Sequence, residues 1–291
     1  MYSAVHGEQN WLWKRRLDDV CRELYPEFSR NVIQSFIAQG KVLVNDKPVV
    51  KSGAQVDPTR AEVRVTAQVP KYVCRAGLKM ERALEEFFAD RDVEIAGRQD
   101  VLRGRVALDA GLSTGGFTDC ILQHGADHVF GVDVGYGQVA EKIRVDERVT
   151  VMERTNLRHL RRVDFEQFSE YSNTNIDFVS LDVSFISTLK MREAICDIME
   201  QEGDLILLIK PQFEAGKGQV GAGGVVRDPD VRREIVASVI HGWQDAGFAF
   251  QNLIQSPIRG AASGNIEYLC HLTRGKGRGI PFHALQSFPR N

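Results

Sequence analysis

Two hydrophobic rhythms follow one another along the chain. Near the start, Leu12, Leu17, Val20 and Leu24 recur at near-helical spacing, and Pro26 predicts a stop. Ser29 is suited to cap a second helix containing Val32, Ile33, Phe36 and Ile37, with Gly40 just beyond its end. Lys41–Val44, a turn at Asn45–Asp46, a short strand near Val49 and alternating Val63 and Val65 follow. Residues 14–66 are therefore expected to form two short helices and a small sheet.

From about Arg98 the rhythm changes. Val106–Ala110, Val129–Asp133, Ile176–Asp182 and Leu205–Lys210 are short, nearly all-apolar runs, as strands buried on both faces require. Helix-length segments such as Phe117–His124 and Leu189–Glu202 separate them, which predicts a doubly wound α/β domain with a mostly parallel sheet. Ligands in that architecture sit at the carboxyl ends of the strands. Each run carries a charged residue there: Asp109, Asp133, Asp182 and Lys210. Between the two parts, Tyr72–Gly77 reads as a linker and Leu78–Phe88 as an amphipathic helix bearing Lys79. The predicted division is 14–70, a connecting 71–97, and 98–275.

Length and composition narrow the classes. A chain of 291 residues, 43% hydrophobic and 26% charged, is an ordinary folded protein rather than a disordered, collagenous or coiled-coil one. No apolar run approaches the roughly 20 residues of a membrane span, and the first residues lack a secretory apolar core and carry Glu8. A cytoplasmic location is expected, or an organellar matrix if a transit sequence precedes this numbering. Five scattered cysteines without a C-x-x-C pair argue against zinc and against a disulfide framework, and no metal is expected. Net charge is −2 overall, but unevenly spread: residues 1–82 hold 14 Lys and Arg against 9 Asp and Glu, the remainder 23 against 30. A basic small end suggests contact with a polyanion. Arg15, Arg16, Arg30 and Lys41 are candidates for it; a merely solvated face is the other reading.

Three constellations could carry chemistry. Asp109–Phe117 follows a strand and opens a helix, with Gly111 at a tight turn and Gly115 and Gly116 placed to let a ligand approach the backbone. Its spacing is neither that of a dinucleotide loop nor that of a P-loop. Asp133, ending the next strand, suits the two hydroxyls of a ribose. A nucleoside ligand without phosphates fits, S-adenosylmethionine being the commonest; a purely structural glycine turn is the alternative. Gly111–Gly115 is also formally a G-x-S-x-G elbow centred on Ser113, though it follows the first strand of the domain, and neither His241 nor His271 has a persuasive context as base. The second constellation is dispersed: Lys79, Asp182, Lys210 and Glu267 could tune a lysine to deprotonate an alcohol, or form a structural ion-pair network. The third, Gly216–Gly224, holds too many glycines for a packed element and reads as a mobile loop, either a lid or a solvated connection.

Taken together, Arg75–Lys79, Asp109–Asp119, Gly131–Gly135, Leu181–Phe185, Ile209–Glu214, Gly224–Pro229, Ser256–Ile258 and Gly264–Glu267 resemble the TlyA (hemolysin A) family of ribosomal RNA methyltransferases, within the FtsJ-like 2′-O-methyltransferase group. Arg16–Asp18, Ser29–Arg30 and Gly40–Asn45 resemble an S4-like RNA-binding domain. The resemblance implies a Rossmann-like methyltransferase domain behind an S4-like module, S-adenosylmethionine as cofactor, and ribosomal RNA or ribosomal subunits as partner; no membrane partner is expected, since the sequence shows no spanning segment and no evident amphipathic membrane helix. It implies a lysine–aspartate–lysine–glutamate tetrad at Lys79, Asp182, Lys210 and Glu267, with Lys210 activating a ribose 2′-hydroxyl, and cytidine as target. Asp109, Gly111, Ser113, Gly115, Gly116, Asp133 and Asn156 would form the cofactor pocket. A non-catalytic RNA-binding assembly factor is the alternative from another class, and a serine hydrolase using Ser113 a third.

Overall fold

The computed structural model describes residues 14–67, 70–89, 94–95, 98–168, 175–216, 218–260 and 264–275. Leu12 and Lys217 lie outside them. The chain divides into two compact units, Met1–Val69 and Pro70–Asn291.

In the smaller unit β1 (Arg15–Arg16) leads into α1 (Leu17–Leu24), and α2 (Arg30–Ala38) follows. Ser29 Oγ accepts from the Val32 amide at 3.4 Å, and Gly40 takes φ +69° just past the helix. β2 (Val42–Val44) turns through Asn45 and Asp46, both at positive φ, into β3 (Lys47–Pro48). β4 (Gln55–Val56) pairs with β1, and β5 (Val63–Val65) pairs with β2. Leu17, Val20, Cys21, Ile33, Ile37, Val42 and Val56 close a small core. The strand near Val49 falls two residues earlier than its apolar signal, because the tight turn at Asn45–Asp46 sets the register and pairs Val44 with Lys47.

The larger unit begins with a packed turn. Tyr72 is buried and the Val73 amide donates to Asp119 Oδ2 at 2.8 Å, so the segment read as a linker is part of this unit's core. α3 (Gly77–Phe87) buries Met80, Ala83 and Leu84, with Phe88 just beyond it. A small hairpin, β6 (Glu94–Ile95) and β7 (Arg98–Gln99), precedes the main sheet. That sheet is built from β8 (Val106–Ala110), β9 (His128–Val132), β10 (Val149–Met152), β11 (Ile176–Leu181), β12 (Gly203–Ile209), β13 (Phe248–Gln255) and β14 (Tyr268–Arg274). Its order is β10-β9-β8-β11-β12-β14-β13. The first five are mutually parallel, and β14 runs antiparallel to both β12 and β13.

Alternate residues of each central strand feed opposite cores. Leu205, Leu207 and Ile209 face one cluster while Ile206 and Leu208 face the other. This is why the strand sequences are apolar at every position. α4 (Gly116–Gln123) covers the α3 side; α7 (Arg192–Ile198) and α9 (Pro229–Gln244) cover the other. Short helices α5 (Glu141–Arg144), α6 (Val163–Glu166) and α8 (Pro211–Glu214) complete the connections. The helix predicted over Leu189–Glu202 is shorter: Thr188–Met191 is a 3₁₀ turn, and the chain turns extended at Met199 because the Glu200 amide is taken by the Ile176 carbonyl.

One charge organises the small unit. Asp18 is fully buried and accepts from Arg16 Nε, Arg16 Nη2 and Gln34 Nε2, each at 2.9 Å. The Arg16 guanidinium holds its carboxyl down at about 2, well below the usual range. A carboxyl lowered on folding stabilises above its unfolded value near 4, and that contribution fades as pH falls towards 2. Asp18→Ala is expected to cost about 1–3 kcal/mol at pH 7, nearer the low end because Arg16 is half exposed and screened by water. Amide hydrogen exchange across α1 and α2 checks this, and the difference from wild type should shrink on acidification from pH 4 to 2.

Candidate active site

A cavity of about 540 Å³ opens at the carboxyl ends of β8, β9 and β11, with Gly111, Ser113, Asp133, Asn156 and Asp182 in its wall. Its position follows from the parallel strands, whose carboxyl ends diverge on either side of the chain reversal beside β8. The exits of β8 and β11 run so close that a Cβ on Gly111 would lie 2.3 Å from the Asp182 carbonyl oxygen. Gly111 also has φ +98°, so only glycine fits there.

Asp133 arranges the loop opposite. Its Oδ2 accepts from the Ser113 amide and its Oδ1 from the Gly135 amide, both at 2.7 Å. Ser113 itself is held at φ +50°. Asn156 lines the cavity and its Oδ1 accepts from the Arg158 amide at 3.2 Å, capping the 3₁₀ turn Leu157–His159. These side chains present remaining lone pairs or hydroxyls to the cavity.

Three of the expected cofactor contacts have other tasks. Asp109 is fully buried: Oδ2 accepts from the Thr118 amide at 3.1 Å and its hydroxyl at 2.7 Å, and Oδ1 accepts from Ser180 Oγ at 2.8 Å. It ties β8 to α4 and β11 underneath the loop and has no surface to offer a ligand. Burial pushes its carboxyl up to about 6. Gly115 and Gly116 make room for protein rather than ligand. A Cβ would lie 2.9 Å from Ile143 Cγ1 at the first and 2.4 Å from Cys74 Sγ at the second.

The four dispersed charges form two ion pairs, one buried and one with its aspartate partly exposed to the cavity. Lys79 Nζ donates to Glu267 Oε2 at 2.5 Å, and Lys210 Nζ lies 2.5 Å from Asp182 Oδ1 while donating to Ser184 Oγ at 2.7 Å. Lys79, Lys210 and Glu267 are only 7%, 8% and 3% exposed. Ile209 is the register partner of Tyr268, so Lys210 and Glu267 leave β12 and β14 side by side. Asp182 both lines the cavity and holds Lys210, which joins the two constellations at one place.

Ser184 and Phe185 were not singled out from sequence. Phe185 is 90% exposed at the cavity mouth, at φ +63°, with its ring 4.9 Å from that of Phe213. A bulky residue in that conformation is strained, and exposing its ring adds to the cost. The signal available was an aromatic three residues after a strand-ending aspartate.

Other expectations change. Gly216–Gly224 is anchored rather than loose at its far end: Gly221 bridges to Val225, and Asn265 accepts from the Val226 amide at 3.1 Å and donates to the Gly224 carbonyl at 2.8 Å. The elbow reading of Ser113 lacks its base. Among the described residues no histidine lines the cavity; His241 is on α9, and His271 pairs with Asp204, near the opposite end of β12. In the small unit, Arg15 pairs with Glu23, Arg16 with Asp18, and Arg30 with Asp19, whereas Lys41 is exposed.

A model of the FtsJ-like methyltransferase family matches residues 72–274, and one of the S4 domain matches residues 15–60. The chain is 39% identical over 258 residues to the 16S/23S rRNA (cytidine-2′-O)-methyltransferase TlyA of Mycobacterium tuberculosis, covering 89% of each. It is likewise 39% identical over 258 residues to hemolysin A of Brachyspira hyodysenteriae, covering 88% of this chain and 98% of that one. A solved structure from Streptococcus thermophilus, named as a hemolysin, is 34% identical with a TM-score of 0.66, covering 93% of this chain and 92% of that one.

The buried Asp109 gives a pH signature. A carboxyl raised on folding contributes most below its unfolded value near 4 and loses that contribution as pH rises through 6. Wild type is therefore expected to lose more stability between pH 4 and 7 than Asp109→Asn, which cannot ionise. Urea midpoints of both proteins across that range test it; parallel curves would contradict the assignment.

Proposed function

The chain belongs to the FtsJ-like methyltransferase family, in the branch of the TlyA and hemolysin A proteins, and on that premise we propose that it methylates the 2′-hydroxyl of a cytidine ribose in ribosomal RNA, using S-adenosylmethionine. The observation that supports this most directly is the meeting of Lys210 with Asp182 at the wall of the cavity, next to the Lys79–Glu267 pair.

The cavity residues fit the cofactor. Asp133 keeps free lone pairs for a ribose diol, and Leu157, Ile186 and Met191 offer apolar wall for an adenine ring. Gly111 lets the loop after β8 close against the Asp182 backbone, which brings the two walls of the cavity together. When bound, S-adenosylmethionine supplies an already activated methyl group, so the protein's share is positioning and proton handling.

Lys210 is the group placed to take the 2′-hydroxyl proton. Asp182 and Ser184 fix its amine at the cavity wall. Lys79, held by Glu267, places a second cation where the ribose oxygen gains negative charge. Burial of Lys79, Lys210 and Glu267, with Asp182 partly buried, limits competing water and strengthens each interaction. The exposed Phe185 ring offers a stacking face for an unstacked base at the mouth.

The S4 domain supplies phosphate contacts that position RNA without reading its sequence. With Arg15, Arg16 and Arg30 each facing a carboxylate, Lys41 is the freer cation of the four. No helix among the described residues is long and apolar enough to cross a membrane, and the cytoplasm, where ribosomes are assembled, is the proposed place of action.

Transfer of labelled methyl groups from S-adenosylmethionine to purified bacterial ribosomal subunits tests the reading. Lys210→Ala is expected to abolish transfer while leaving cofactor affinity within a few-fold of wild type. Near-normal transfer by that variant would reject Lys210 as the base. Removal of residues 1–66 is expected to weaken subunit binding and to spare cofactor binding; unchanged subunit affinity would reject the RNA-binding role of the small unit.

A further inference from the structure

Resting on the functional reading above, we infer that Arg75 and Arg259 form a phosphate clamp at the lip of the active site, gripping the backbone phosphate next to the target ribose. The tetrad itself creates the need. Its two lysines are matched by two carboxylates, so it carries no surplus positive charge. Yet every internal RNA ribose that presents a 2′-hydroxyl carries an anionic phosphodiester on the neighbouring 3′-oxygen. Bringing that anion beside the buried Glu267 and the partly buried Asp182 is unfavourable unless a further cation meets it.

Arg75 and Arg259 are placed for this. Arg75 lies one helical turn before Lys79, and its Nη2 donates to the Arg259 carbonyl at 3.2 Å. Arg259 directly precedes Gly260, where a Cβ would lie 2.8 Å from Glu267 Oε1. The two arginines thus come from the two segments that carry the Lys79–Glu267 pair, and they meet there. The Arg75 turn is also fixed against the cofactor loop, since a Cβ on Gly116 would strike Cys74 Sγ at 2.4 Å and the Gly77 amide nitrogen at 3.0 Å. α4 starts at Gly116, at the carboxyl end of β8, so this lip is on the cavity side of the sheet.

Both side chains are exposed, and neither is drawn into an ion pair among the described residues. Arg148, Arg161 and Arg162 on the same unit are each neutralised by a carboxylate. Arg75 spends one of its five donors on the Arg259 carbonyl, which leaves the rest of its planar fork for two phosphate oxygens.

The test uses the full chain with purified bacterial small and large ribosomal subunits. Affinity is measured between about 50 and 200 mM salt for wild type, Arg75→Gln, Arg75→Lys, Arg259→Gln and the double Gln variant, with cofactor affinity as the check on folding. Each Gln variant is expected to lose about tenfold in affinity and to lower the salt slope by about one. The double variant should fall little below the singles, because both side chains grip one phosphate. Arg75→Lys should keep the slope, whereas a purely structural hydrogen bond to the Arg259 carbonyl would not respond to salt at all. Arg259→Gln carries the test even if changing Arg75 disturbs its turn. Wild-type affinity and slope in Arg259→Gln and in the double variant would overturn the clamp. Failure of wild type to bind or methylate either subunit would overturn the functional reading and the clamp with it.

Discussion

Two lysines buried at the carboxyl edge of a β-sheet keep their charge only if a carboxylate faces each of them. Removing a lysine and a carboxylate from water is costly, and their attraction compensates only at close range with good geometry. Lys210 and Asp182 therefore have to leave adjacent parallel strands within reach of each other, and Glu267 has to arrive beside Lys210 on an antiparallel neighbour. Lys79 is delivered from outside the sheet by α3, whose apolar face docks Met80, Ala83 and Leu84 onto the same core. The reversed strand β14 is what lets a residue from late in the chain meet one from its first third.

The cavity depends on a second constraint, the close approach of backbone segments. Gly111 passes under the Asp182 carbonyl with no room for a side chain, so the loop after β8 and the loop after β11 share one wall. Two acids hold that wall from different depths. Asp109 works from inside, fastening β8 to α4 and β11 through Thr118 and Ser180. Asp133 works from the rim, accepting two amides while keeping lone pairs directed at the cavity. Similar residues at similar strand ends thus differ in role through burial alone.

Charge is handled differently in the two units. The small unit spends much of its positive excess internally, since Asp18, Asp19 and Glu23 hold three arginines. Such pairing rigidifies the α1–α2 face and lowers the field it projects. In the large unit the tetrad is balanced, and Arg75 and Arg259 stand beside it without carboxylate partners among the described residues.

Sequence alone determined the elements and the chemistry at their ends. Runs apolar at every position admit only strands buried on both faces, and a charge closing such a run is costly unless it is used. For that reason Asp133, Asp182 and Lys210 are legible as charges at strand ends from the sequence, and the fold gathers them at one end of the sheet. Local spacing could not decide what each glycine or acid touches. Gly115 and Gly116 read as openings for a ligand, but Ile143 and Cys74 fill that space. Asp109 read as a pocket residue, but the sheet buries it. Phe185 gave no periodic signal, because its exposure follows from a backbone at positive φ rather than from any pattern of neighbours. The partners of Lys79 and Lys210 lie 188 and 28 residues away along the chain; the packing of α3 and the reversal at β14 bring the first pair within reach, and the parallel pairing of β11 with β12 the second. Covalent neighbours set the conformation of each element, whereas contact between elements is set by burial of their shared apolar faces, which acts on the folded whole.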